Sequence, residues 1–308
     1  MQKNATSAQK HNLLSKADKH LHLLLSAPHE AYQKLSAQKI PELSRTPYHS
    51  CANFFETIRK HYVPVLNTAE NIATIVRAAL EQMIADSVTY AEASLPLPLP
   101  RRLGMSWQEF AAIIKPELDR VADQIEIRLE AGHAREVPFD FCAELELAAK
   151  TKLFSGLDLY GDELSRDIAE FADFFAVARA NNLYVKLHTG EFGDAARMRR
   201  DIELVNPDEI QHGIAAAADP KLMGALRERR IPLNICPTSN VMLGVVQNYA
   251  QHPVRTLVEN GVIVTLGSDD FAMFGVSLSL EYDKLLKEGV LSASQLESIR
   301  LNSLQLRA

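Results

Sequence analysis

Histidine and carboxylate residues at four places in this 308-residue chain have the types and spacing to hold a divalent ion and to move protons. His20 and His22 lie in HLHLLL, where a period of two turns both imidazoles to one face of a strand. His188 ends the run LYVKLH and Glu191 follows three residues later; His212 ends EIQH; Asp269 and Asp270 end VIVTLGSDD. Charged groups directly after such apolar runs are costly unless paired or metal-bound. Three histidines and one aspartate supply nitrogen and oxygen donors that suit Zn²⁺ or another borderline first-row ion. Each piece is weak alone. A histidine at a strand end is more often a satisfied polar residue, and Asp-Asp more often caps a turn. The signal is their joint placement at strand ends. His212 reads as a fourth imidazole ligand or as a base behind the ligands; Glu191 reads as an acid or as a salt-bridged loop residue. The remaining histidines (His11, His29, His49, His61, His133 and His252) lack this placement.

Residues so far apart in sequence meet only if the fold gathers strand ends. Apolar, strand-like runs occur near residues 18–25, 87–93, 124–131, 155–159, 183–188, 209–212, 231–236 and 262–267, with helix-like segments between them. Asn67 with Glu70, Ser106 with Glu109 and Ser292 with Gln295 have capping-box spacing. Asp219-Pro220 starts one helix, Gly261 and Gly289 end others, and Ile168, Phe171, Phe175 and Ala178 mark one buried helix face. Eight strands alternating with helices predict an α/β fold, a (β/α)8 TIM-type barrel whose C-terminal strand ends share one mouth. Residues 1–17 read as a tail and 18–308 as a single barrel domain. The stretch 28–66 reads as a helical insertion after the first strand: either a lid over the mouth, or a segment whose Phe54, Phe55 and Ile58 pack its own core. Leu95–Pro100 reads as a loop.

The formal net charge is −6 and no Lys/Arg-rich block stands out, which argues against a nucleic-acid or anionic-membrane surface and for a small-molecule substrate. Cys51, Cys142 and Cys236 are scattered and odd in number, as expected of reduced thiols. No segment is apolar enough to span a bilayer and the N-terminus has no apolar leader core, so the expected compartment is the cytoplasm.

Taken together, HLH, YAE at Tyr90–Glu92, GLDLYGDE at Gly156–Glu163, HTGE at His188–Glu191, QHG at Gln211–Gly213, CPTSN at Cys236–Asn240 and SDDF at Ser268–Phe271 resemble the adenosine deaminase family of the amidohydrolase superfamily. The resemblance implies a zinc-dependent hydrolytic deaminase of an adenine-containing purine. It implies His20, His22, His188 and Asp269 as ligands of one ion, with His22 and Asp269 also facing substrate and water. His212 would orient the attacking water and shuttle its proton, Glu191 would protonate ring N1, Asp270 would meet N7, and the Gly161 N–H would meet N3. The H-x-E…P-C-x-x-C signature of the other zinc deaminases is missing, and Cys236 reads as a buried strand residue. Departures fall on the sugar side. Leu24 stands where the family has a carboxylate for a sugar hydroxyl, ASLPLPLPRR replaces an arginine-containing run, and Phe271 replaces a proline. Adenosine is therefore expected to be a poorer substrate than adenine or a 5′-modified nucleoside, with Arg101, Arg102 and Arg135 available to an anionic substituent. The alternatives are a hydrolase of another ring amine or amide, and a silent binding relative.

Overall fold

The computed structural model describes residues 14–306 apart from 44–46, 49 and 139. His11, His49 and most of the expected tail lie outside the described residues. The strands are β1 (Lys16–His22), β2 (Val88–Pro96), β3 (Glu126–Ala134), β4 (Gly156–Tyr160), β5 (Tyr184–Thr189), β6 (Glu209–His212), β7 (Leu233–Ile235) and β8 (Val264–Leu266). Each pairs parallel with the next, in sequence order. A helix covers the outside after each strand: α1 (Ala69–Ala85), α2 (Trp107–Asp119), α3 (Phe141–Ala149), α4 (Ala172–Ala180), α5 (Ala195–Val205), α6 (Pro220–Arg229), α7 (Val254–Glu259) and α8 (Ala293–Gln305). The sheet closes through a parallel bridge between Leu21 and Asp269. His22 N–H donates to the Asp269 carbonyl (3.2 Å) and Asp269 N–H to the His20 carbonyl (2.9 Å). The barrel is thus the α/β architecture expected from the eight apolar runs.

Helix starts follow the local sequence. Ser106 with Glu109 and Ser292 with Gln295 both form capping boxes, and Asp219 accepts from the Lys221 and Leu222 N–H groups ahead of Pro220. At α1 the cap shifts by one residue from the expected Asn67. Thr68 accepts from Asn71 N–H, while Asn67 is occupied by the Asn71 side-chain amide. Two strand boundaries also differ. β1 takes in Lys16 and Ala17, and Leu23–Leu25 forms a tight 3₁₀ turn. β2 runs on through Leu95 and Pro96, so only the end of Leu95–Pro100 leaves the sheet.

The interior departs from the usual barrel filling of branched aliphatic layers. A register shift between Asp18 and Leu21 puts a bulge at Lys19–His20. The two consecutive side chains then both serve the interior, in opposite directions. Lys19 reaches towards the N-terminal end, where its Nζ lies 2.5 Å from Glu92 and 2.8 Å from Glu209 and also donates to the Leu306 carbonyl beyond α8. Lys186 Nζ lies 2.5 Å from Glu92 and 2.7 Å from Glu130. This ionic floor seals the barrel beneath the mouth.

Within 28–66 the structure has short helices at His29–Leu35 and Cys51–Thr57, continued by tight turns through Val65. Phe54 is buried and stacks on Phe274 at 5.4 Å. Tyr62 Oη donates to the Ala272 carbonyl (3.0 Å). The insertion is thereby fastened to the turn Phe271–Phe274 that follows Asp270, rather than packing only on itself.

Candidate active site

β1 delivers the first two groups. His20 Nδ1 lies 3.0 Å from the Asn234 carbonyl, so Nδ1 carries the proton and Nε2 is left as a lone pair. That Nε2 is buried and has no hydrogen-bond partner among the described residues. The His20 ring centroid is 6.1 Å from that of His22, 4.7 Å from His188 and 4.5 Å from His212. Donor atoms of His20, His22 and His188 lie within 4.8 Å of one another. Asp269 Oδ1 is 3.5 Å from His22 Nε2 and 3.7 Å from His20 Nε2. The barrel closure itself sets this proximity, because the same Asp269 backbone bonds to His20 and His22.

Two of the strand-end residues sit in the left-handed backbone region, His212 at φ 62° and Asp269 at φ 57°. Such positions cost a non-glycine residue roughly 1–3 kcal/mol and collect at functional sites. Here they turn both side chains over the mouth instead of along the strand. Three imidazoles and a carboxylate, with one buried nitrogen that makes no hydrogen bond among the described residues, are a donor set that could hold a borderline divalent ion.

Beside this cluster Glu191 Oε2 lies 3.4 Å from His212 Nε2. Burial, then Asp269 and Glu163, push the Glu191 carboxyl well above the usual range. Burial and the Asp269 charge do the same to Asp270, which sits within the same group of donors as His22 and Asp269. Burial and the neighbouring imidazoles hold His212 neutral. Gly161 follows β4 at φ +88°, and a side chain there would run into Glu136 and the Arg135 backbone, so glycine is required.

A hydrogen-bonded chain fixes the orientation of Glu191 and His212. Val254 N–H donates to His252 Nδ1 (3.1 Å), so His252 carries its proton on Nε2 and donates to Asn240 Oδ1 (3.2 Å). Asn240 Nδ2 then faces Glu191 Oε1 and His212 Nδ1, each at 3.3 Å. Accepting at Nδ1, neutral His212 presents Nε2–H to the mouth. A second brace holds the loop after β5. Glu163 accepts from the N–H groups of Gly190 (2.8 Å), Phe192 and Gly193 (2.5 Å), on either side of Glu191. Arg135 is fully buried; its Nη2 donates to the His188 carbonyl (2.6 Å) and lies 3.5 Å from Asp201. It is therefore committed to this brace and not free for an anionic substituent, whereas Arg101 is exposed and makes one loose pair with Glu144 at 3.6 Å.

His20, His22, His188, His212, Glu191, Asp269 and Asp270 are brought together at this mouth. The sequence reading gave no role to Asp158, which is 3.1 Å from His188 Nε2, nor to Glu163, Asn240 or His252. For Glu163 and Asn240 the signal was their place inside the GDE and TSN runs. His252, two residues before α7, carries no local cue.

A parallel eight-stranded barrel that gathers histidines and an acidic pair at its C-terminal mouth has the architecture on which metal-dependent hydrolases are built. The adenosine deaminase family model matches residues 25–307. A Treponema pallidum protein provisionally named adenosine/adenine deaminase is 32% identical over 285 residues, 92% of this chain and 95% of its own. Among solved structures, an adenine deaminase from Arthrobacter aurescens superposes with TM-score 0.84 at 24% identity, covering 94% of this chain and 92% of that one. A Zn-bound amidohydrolase from Burkholderia ambifaria superposes with TM-score 0.82 at 21% identity, covering 99% and 89%. These two likenesses show the shared fold. The chain belongs to the adenosine deaminase family, whose members are hydrolases of carbon–nitrogen bonds.

Proposed function

We propose that this protein is a zinc-dependent hydrolytic deaminase of an adenine-containing purine, exchanging the ring amine for oxygen and releasing ammonia. The observation that carries the reading is the buried, unpartnered His20 Nε2 facing His22, His188 and Asp269, with Glu191 alongside. His20, His22, His188 and Asp269 would hold the ion. When bound, such an ion supplies Lewis-acid activation of water at neutral pH.

The chain's own groups do the rest. Glu191, protonated in its buried setting and oriented by Asn240 through Oε1, delivers a proton from Oε2 to ring N1 and makes the amine-bearing carbon electron-poor. His212, holding Nε2–H towards the mouth, orients the attacking water; Asp269 takes one proton of that water and passes it to the amine, which leaves as ammonia, and the other returns to Glu191 as the new carbonyl forms. Asp270 meets N7 and the Gly161 N–H meets N3. The hydrogen-bonded chain through Asn240 favours His212 as an orienting donor over a base. The insertion 28–66 serves as the lid. Tyr32, Tyr48 and Tyr62 lie within electrostatic reach of Asp270, and Cys51 within that of Glu191. The three cysteines are free, which agrees with a cytoplasmic protein; among the described residues no helix is long and apolar enough to cross a membrane.

On the sugar side, Leu24 is buried in the apolar core cluster, so this turn brings no carboxylate to a ribose hydroxyl. A buried ribose hydroxyl that found no other partner would cost about 1–3 kcal/mol. The test is kcat/KM for adenosine, adenine, 5′-deoxyadenosine and 5′-methylthioadenosine under one set of conditions, with ammonia as the readout. Adenosine is expected to fall behind adenine or a 5′-modified nucleoside. Adenosine as clearly the best of the four would overturn the reading of Leu24.

A further inference from the structure

The end of β4 carries an aromatic side chain to which neither the sequence reading nor the mechanism assigns a task. Tyr160 immediately precedes Gly161. Its ring meets His22 edge-on at 4.8 Å between centroids and lies 6.0 Å from His188. A Cβ at Gly132 would come within 2.6 Å of Tyr160 Cε1, so the absence of a side chain on β3 makes room for the ring. The ring therefore reaches from β4 to β1 across the mouth. Its hydroxyl has no hydrogen-bond partner among the described residues, and it stands within the fields of Asp158, Glu136 and Asp270.

The order of strands says which edge of a bound purine this is. Around the ring perimeter N9 lies between N3 and N7, away from N1 and C6. With N3 at Gly161 after β4, N7 at Asp270 after β8 and N1 at Glu191 after β5, N9 must face the arc of strand ends β1 to β3. Tyr160 and His22 span that arc, and buried Leu24 adds no polar partner there. We propose that Tyr160 selects free adenine over its nucleosides. Its ring occupies space that a sugar on N9 would need, and its oxygen accepts the N9–H that only the free base can donate. This inference rests on the deaminase reading for the placement of N1, N3 and N7.

The test compares wild type with Tyr160→Ala and Tyr160→Phe, each checked for folding by thermal melt and for ion content. Two readouts are used: kcat/KM for adenine and adenosine, and calorimetric binding of the products hypoxanthine and inosine. Wild type is expected to prefer adenine by at least about 100-fold, the scale on which a site excludes a misfit. Tyr160→Ala should shrink that ratio at least about tenfold, through a gain on adenosine and tighter inosine binding. Tyr160→Phe should keep the exclusion and lose about tenfold on adenine, the equivalent of one hydrogen bond. A wild type that prefers adenosine, or a folded Tyr160→Ala with an unchanged ratio, overturns the proposal. If no purine is deaminated yet hypoxanthine binds, inosine does not, and Tyr160→Ala admits inosine, the deaminase reading falls and the selection by Tyr160 stands. If neither product binds, both fall.

Discussion

The barrel holds two buried polar regions, one at each end, and they are built on opposite principles. At the floor, Lys19 and Lys186 face Glu92, Glu130 and Glu209, and the charges answer one another within 2.5–2.8 Å. Burial alone would raise Glu92, but Lys186 and Lys19 outweigh it and hold that carboxyl down at about 2. At the mouth the pairing is looser. His20 Nε2 and Asp270 Oδ1 are buried without a hydrogen-bond partner among the described residues, and burial pushes Glu191 up. The floor draws its lysines and carboxylates together at short range, although burial still pushes Glu130 up, whereas Asp269 at the mouth lies 3.5 and 3.7 Å from the imidazoles of His22 and His20. Unsatisfied buried polar groups cost stability. The mouth makes physical sense as a place completed by something that binds there, and the floor as the rigid base that holds it.

The contrast predicts that substitutions at the two ends separate activity from stability. The largest effect belongs to the mouth. Glu191→Gln should lose about 10²–10⁴-fold in deamination while keeping its ion content and melting temperature, because an amide cannot cycle a proton to the ring. Wild-type turnover in that variant would remove Glu191 from the chemistry. At the floor the reverse is expected. Glu92→Gln removes the carboxylate that two buried lysines share, leaving Lys19 with Glu209 and Lys186 with Glu130, and should cost about 3–5 kcal/mol in chemical denaturation, with kcat of the folded fraction little changed. A loss of activity without a loss of stability would mean that the floor communicates with the mouth.

Asn240→Ala comes next. It frees Glu191 and His212 from their shared tether, and about 1–3 kcal/mol of lost positioning corresponds to about 10–100-fold in kcat. A normal kcat with a raised KM would assign Asn240 to binding instead. The smallest effect is a pH slope. Because the Glu92 pKa in the folded state, about 2, lies below its ordinary value of 4.5, its contribution is present above 4.5 and is lost as pH falls from there towards 2. Each pH unit in that window removes up to roughly 1.4 kcal/mol. The acid limb of the stability curve should be shallower in Glu92→Gln than in wild type, measured at matched ionic strength.

The same contrast explains what the sequence could and could not reveal. Parallel strands buried on both faces read as continuous apolar runs, so β4, β5 and β6 were legible nearly residue for residue. The first two residues of β1, Lys16 and Ala17, were hidden because Lys16 reads as solvated, and the task of Lys19 was hidden because nothing nearby in sequence announces Glu92 or Glu209 as its partners. β2 was cut short because Pro96 looks like a breaker, although at a strand end its missing N–H breaks little of the ladder. At the mouth, His20, His22, His188, His212 and Asp269 stood out because polar residues ending apolar runs are conspicuous. Glu163, Asn240 and His252 did not, because a carboxylate or amide in a loop reads as a cap until its distant partner is known.

The central claim is that the mouth is completed by one divalent ion and then deaminates a purine. Its most direct test is ammonia release from adenine by chelator-stripped protein, followed as zinc is returned. The account predicts no release from the stripped protein, activity that saturates at one ion per chain, and no recovery in Glu191→Gln. Undiminished release without any ion, or none from any adenine-containing purine at full zinc occupancy, would contradict it.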